Sequence, residues 1–255
     1  MIIKIGTSGY SFEDWRGNFY PDKIEKGKML NHYVKYFSTV EINSTYYRIP
    51  HPAVMANIEK KTPQHFEFIV KTPDTLTHKR KEIEKAIKEF GECLKPMQDS
   101  GKLRGVLAQF PYSFKYSPAN LQYVINCGKE FAAESFYVEF RHSSWVNPNT
   151  INGLQSSRIP YVSVDEPQLP GLLKPDLVNT TDIAYIRLHG RNAAQWWDGG
   201  SLRYDYDYSD KELEEWKSKI LQMEGKVKKS FIFFNNCHLG QAVKNARQMM
   251  ANLNL

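Results

Sequence analysis

The chain has 255 residues, 41% of them hydrophobic and 24% charged, with a formal net charge of +6. This composition excludes a disordered or collagen-like chain, and the length buries a core without disulfide staples. The cationic excess favours anionic partners such as nucleic acid, phosphorylated metabolites or acidic surfaces.

Residues 2–6 read as a first strand, followed by the Gly/Ser loop Thr7-Ser8-Gly9-Tyr10. Residues 29–37 place Leu30, Tyr33, Val34 and Phe37 on one helical face, and 39–43 form a second strand. A helix over 52–61 has proline near its start. A third strand covers 66–71. A long amphipathic helix over 79–97 carries Ile83, Ile87, Phe90 and Leu94. The fourth strand, 105–110, stops at Pro111, and a helix follows over 118–132. The fifth strand is 136–141, then come a short helix over 148–156 and a sixth strand over 161–165. Residues 167–182 hold several prolines and no helical period. The seventh strand, 183–189, leads into a polar, aromatic loop, 190–209. Asp210 is read as the cap of a helix with Glu212 in its first turn. An eighth strand, 231–235, and a last helix, 239–253, complete the chain.

Strands alternating with helices demand crossover connections and therefore parallel pairing. Eight such units in this length predict a single α/β domain over residues 1–255, a TIM-type (β/α)₈ barrel with a weak or missing sixth helix. An open doubly wound sheet would want GxGxxG after the first strand, and Gly6-Thr7-Ser8-Gly9 lacks that spacing. Cys93, Cys127 and Cys237 are odd in number and form no CxxC pair, as in a reducing compartment. No signal-like start and no apolar run of roughly 20 residues appear, so the expectation is a cytoplasmic protein without a membrane partner.

Several blocks resemble one known family. They are Gly6-Thr7-Ser8-Gly9-Tyr10 with Trp15, Gly17 and Phe19-Tyr20-Pro21; Val40 to Arg48; Thr77-His78; Gln109-Phe110-Pro111; Val138-Glu139-Phe140-Arg141-His142 with Trp145; Arg187 to Arg191; and Phe234-Asn235-Asn236. In this order they resemble the YecE-like family, a domain of unknown function numbered 72. The resemblance implies a TIM-barrel fold and no particular reaction. Cys237 follows the Asn-Asn pair, and His238 stands one place later than that pattern has it.

The strand ends carry the candidate chemistry. Alternation sets Glu139 and Arg141 on one face, with Glu41, Asn43, Lys71, Gln109, Asp165, Arg187, His189 and Asn235 at other strand ends. A parallel barrel keeps its active site on that rim. Lys71, Arg141, Arg187 and Arg191 are read as an anion cradle, with Gly190 admitting a ligand close to the backbone. Glu139 or Asp165 is the candidate base or metal ligand, and His189 the acid or ligand. Glu139, Asp165 and His189 are a possible Mg²⁺ or Mn²⁺ site, with His78 and His142 as additional donors. Gln109, Asn43 and Asn235 would orient substrate, and Tyr47, Trp15 and neighbouring aromatics would stack on it. Lys71 suits Schiff-base chemistry only with a lowered pKa. Lys226, Lys228 and Lys229 read as a solvated run below the barrel. The leading expectation is a hydrolase of a phosphorylated or nucleotide-like substrate. The alternatives are a non-catalytic nucleic-acid-binding module and a glycosidase using Glu41 and Glu139.

Overall fold

A computed structural model describes residues 1–132 and 135–255. In chain order it has β1 (Ile2–Thr7), α1 (Met29–Tyr33), β2 (Thr39–Ile42), α2 (Pro52–Lys60), β3 (Glu67–Lys71), α3 (Ile83–Asp99), β4 (Leu103–Gln109) and α4 (Pro118–Glu130). Then follow β5 (Phe136–Glu139), α5 (Pro148–Ser156), β6 (Val162–Asp165), β7 (Ile183–Leu188), α6 (Asp210–Leu221), β8 (Lys229–Phe234) and α7 (Gln241–Asn252). The described residues 166–182 contain no helix, as their prolines suggested.

All pairings are parallel, in two four-stranded sheets with orders β1-β8-β7-β6 and β2-β3-β4-β5. One continuous eight-stranded sheet was expected, and the ladders do not draw one. Between β1 and β2 a single bridge joins Ser8 to Glu41, and between β5 and β6 another joins Val138 to Tyr161. Each seam is held by isolated bonds such as Gly9 N–H to Glu41 O at 2.8 Å and Val138 N–H to Pro160 O at 3.0 Å.

Four helices depart from the periodic reading: α1 ends at Tyr33 instead of 37, and three others differ for local backbone reasons. The long helix begins at Ile83, not 79, because Arg80 and Glu82 adopt left-handed φ values of 50° and 49°. A single π-turn, Thr75–Lys79, precedes that break. The last helix starts at Gln241 because Leu239 and Gly240 are also left-handed. Helix α6 is capped by Ser209 rather than Asp210: Ser209 Oγ accepts from Glu212 N, and the Glu212 carboxylate accepts from Ser209 N, a reciprocal capping box.

Along the interior, strand alternation stacks two kinds of layer. Tyr137, Tyr185, Phe231 and Phe233 make an aromatic layer, with Tyr137 and Tyr185 edge to face at 5.0 Å. Two residues further on in their strands, Glu139 and Arg187 share that inward face, one layer closer to the carboxyl ends. Gly105 lets β4 sit close to β5, since a Cβ there would fall 2.3 Å from Ser135 O and 2.5 Å from the Tyr137 ring. At the opposite end, Glu67 opens β3 and pairs with Lys229 of β8 at 2.6 Å and with Arg104 at 3.0 Å. Lys229 is therefore half-buried and paired rather than part of a solvated run.

A candidate anion-binding cavity at the carboxyl ends of the strands

Arg187 organises the site. It is fully buried, and its guanidinium donates Nε and Nη2 to Glu41 at 2.9 and 2.7 Å and Nη1 to Glu139 at 2.6 Å. Its second Nη2 contact is Ser8 Oγ at 3.4 Å. The Tyr185 hydroxyl also donates to Glu41. The fork expected to clasp a ligand is thus filled by two of the chain's own carboxylates.

Glu139 carries a second cation. Arg141 Nε lies 2.6 Å from its Oε1, an ion pair lacking the alignment of a hydrogen bond, and Arg141 Nη1 reaches Glu166 at 3.2 Å. Burial alone would raise the Glu139 pKa, but Arg141 and Arg187 together hold it well below the carboxylate range. Glu166 lies deeper in the other balance: burial pushes it up to about 7 despite Arg141. His189 has Nε2 3.2 Å from Glu139 Oε1, while its Nδ1 faces the Asn235 amide at 2.9 Å. Burial, reinforced by Arg141, lowers the His189 pKa to about 3, so the ring is neutral at physiological pH and is no imidazolium acid.

Asp165 lies elsewhere. Arg191 grips it with Nε at 2.8 Å and Nη2 at 2.9 Å, and the Trp216 indole of α6 donates to it. Arg191 also reaches Glu212 at 3.0 Å. Asp165 and Arg191 therefore fasten α6 to the end of β6, and Arg191 does not join the cradle. Gly190 likewise serves the loop: its N–H donates to the Tyr208 hydroxyl at 2.9 Å, and a Cβ there would meet Tyr206 at 2.6 Å. Among the described residues, no three His, Cys, Asp or Glu side chains converge to hold a metal ion. Glu139 and Asp165 spend their oxygens on arginines, so the donor set does not fit Mg²⁺ or Mn²⁺.

Above this layer lies a cavity of about 600 Å³. Its described lining includes Lys71, Arg141, Arg187 and Arg203, with no aspartate or glutamate. Lys71 Nζ donates to Gln109 Oε1 at 2.8 Å and sits 4.4 Å from the centre of the Tyr46 ring. Burial, then the nearby Arg187 charge, brings its pKa down to about 7. His78, delivered by the π-turn, edges onto Tyr46 at 5.0 Å, and burial and Lys71 lower its pKa to about 4. Among the described residues Arg203 makes only carbonyl contacts, to Gly200 at 3.0 Å and Trp197 at 3.4 Å.

Of the other expected contacts, Asn43, Tyr47, Gln109 and Asn235 line the cavity. Asn43 keeps a buried Oδ1 without a hydrogen-bond partner among the described residues. Trp15 does not line it: the indole is buried against Phe12 at 4.7 Å and donates to Cys237 O at 2.6 Å. His142 caps the turn at Ser143–Trp145 instead of facing a ligand. Sequence reasoning counted Tyr204 among the rim aromatics but did not assign Arg203 a place beside the strand-end cations. The signal was present, since a loop of 190–209 rich in aromatics follows a strand end and folds over the rim.

Fold and site define an α/β protein of parallel sheets with a cation-lined cavity at the carboxyl ends of its strands. The chain belongs to the DUF72 family: residues 4–255 match the family described as "Protein of unknown function DUF72". It is 32% identical to the UPF0759 protein YunF of Bacillus subtilis (strain 168), covering 100% of this chain and 95% of that protein. It superposes on the crystal structure of a DUF72 family protein from Thermotoga maritima MSB8 with a TM-score of 0.92 and 38% identity, covering both chains completely. A DUF72 family protein from Enterococcus faecalis V583 gives 0.89 and 28%, covering 100% of this chain and 96% of that one. No described helix is long and apolar enough to cross a membrane.

Proposed function

We propose that the protein is an enzyme acting on a phosphorylated or nucleotide-like small molecule held in this cavity, and that the two half-sheets are the halves of a (β/α)₈ barrel. The observation that carries the reading is a described lining with four basic side chains and no carboxylate. Arg203 and Lys71 have no carboxylate partner among the described residues, while Arg141 and Arg187, balanced by their buried glutamates, offer fixed N–H donors. Phosphate suits such a set. The rings of Tyr47, Trp197 and Tyr204 offer a stacking wall, and the free Asn43 Oδ1 is an acceptor for a base edge or hydroxyl.

Phosphoester hydrolysis is the reaction we assign. Cations would stabilise charge on the departing phosphate, and Lys71, partly neutral near pH 7, would take the proton of the attacking water. Glu139 and Asp165 have no part in that step. A two-carboxylate glycosidase loses its footing, because Glu41 and Glu139 are bridged by one buried guanidinium.

Calorimetric titration with inorganic phosphate, adenosine and AMP, together with an assay of released phosphate, tests the reading. AMP is expected to bind tighter than adenosine, and Arg203→Ala to weaken AMP by about tenfold or more, the size of a charge-assisted bond. Equal binding of AMP and adenosine, unaffected by Arg203→Ala, would reject the anion site. Binding without phosphate release would reject the hydrolase.

A further inference from the structure

Two lysines of this protein are drawn out of water, and their surroundings differ. Lys102 is 3% exposed and reaches Glu59 Oε1 at 2.6 Å, Thr62 O at 2.9 Å and Glu59 O at 3.1 Å. It is a compensated charge at the base of the strands. Lys71 stands at the carboxyl end of β3 and opens into the cavity. Among the described residues its single hydrogen-bond acceptor is the neutral Gln109 amide. The cations Arg141 and Arg187 line the same cavity. Glu139, Glu41 and the Tyr46 ring favour the ammonium, but burial and the Arg187 charge outweigh them, whereas Lys102 is held by a carboxylate in direct contact. An amine desolvated next to cations is an activated nucleophile.

We propose that Lys71 Nζ condenses with the carbonyl carbon of an aldehyde or ketone that carries a phosphate, forming an imine. The inference rests on the anion reading of the cavity only for the phosphate, and goes beyond hydrolysis for the amine. The nitrogen lone pair attacks the carbonyl carbon, and the C=O π pair moves to oxygen, which takes up a proton. The nitrogen sheds a proton to give a neutral carbinolamine. A second proton lets the hydroxyl depart as water while the nitrogen pair closes the C=N bond. No oxidant, reductant or metal is needed. Arg203 and Arg141, lining the same space, would receive the phosphate while the carbonyl reaches Lys71. The lowered basicity of Lys71, to about 7, is consistent with a free amine at neutral pH.

The test uses the whole wild-type chain at pH 7.5 with glyceraldehyde 3-phosphate or glyceraldehyde. Sodium cyanoborohydride reduces any imine to a stable secondary amine, and peptide mass mapping locates it. An amine titrating near 7 has a free fraction several hundred times that of an ordinary lysine at this pH, so labelling of Lys71 about 100-fold faster than surface lysines is expected. The phosphorylated aldehyde should react faster than glyceraldehyde, and inorganic phosphate should slow it. Phosphate that raises the melting temperature while Lys71 labels no faster than surface lysines overturns the imine and leaves the anion site standing. Preferential Lys71 labelling at equal rates for both aldehydes, with no phosphate effect, keeps the amine and overturns its anionic partner.

Discussion

Replacing Arg187 by methionine isolates what the guanidinium does for the fold. The methylene stem is retained in volume, but Glu41 and Glu139, both 0% exposed, lose their shared cation. Glu139 still has Arg141 at 2.6 Å. Glu41 keeps only the Tyr185 hydroxyl among the described polar partners of its carboxylate. Orphaning a buried charge in this way costs about 3–5 kcal/mol. A chain of this size loses roughly 2–4 °C per kcal/mol, so melting should fall by roughly 6–20 °C. Differential scanning calorimetry measures it. Adding Glu41→Gln to Arg187→Met should recover part of the loss, because the orphaned charge is then removed. A single variant melting within about 2 °C of the parent would refute the compensation argument.

Glu166→Gln should flatten a fall in stability between about pH 4.5 and 7: the folded pKa near 7 exceeds the unfolded one, so the folded state binds the extra proton in that window and loses its advantage as pH rises. Chemical denaturation across that range checks it. Asp165→Asn should cost about 1.5–3 kcal/mol by loosening Arg191 and Trp216, yet leave phosphate affinity unchanged because Asp165 does not line the cavity. Trp197→Ala, at a side chain 47% exposed, should leave melting nearly unaltered and weaken AMP by about 1–3 kcal/mol in a binding titration.

Much of the scaffold was legible because parallel strands and their crossovers write strong local patterns. All eight strands and the missing helix after β6 were readable from alternation and proline. The split into two sheets was not, since it depends on how few bonds cross at Ser8–Glu41 and Val138–Tyr161. Helix starts shifted where non-glycine residues Arg80, Glu82 and Leu239 take left-handed φ, which no periodicity records. Side-chain placement at strand ends was legible, but partner choice was not. Arg191 follows His189 and Gly190 in sequence, as a cradle residue would, yet turns toward Asp165 and α6. Trp15, seven residues beyond Ser8, packs inward because its indole finds the Cys237 carbonyl.

The two ends of the strands separate structure from function more clearly than any single residue does. At the amino ends, Glu67 is answered by Lys229 and Arg104, and Lys102 by Glu59, so buried charge is closed on itself. At the carboxyl ends, Glu41 and Glu139 are answered by Arg187 and Arg141 in the same manner. At this end Arg203 and Lys71 line a cavity of about 600 Å³ without a carboxylate partner among the described residues. A buried ion pair adds little net stability relative to apolar packing, so a charged layer needs a reason beyond holding the fold. Fixing Arg141 and Arg187 on their carboxylates supplies one: the guanidinium positions are set in advance, and an incoming anion need not reorganise them. On this argument the buried glutamates serve the site by restraining its cations, and substituting them should first loosen anion affinity rather than remove a catalytic base.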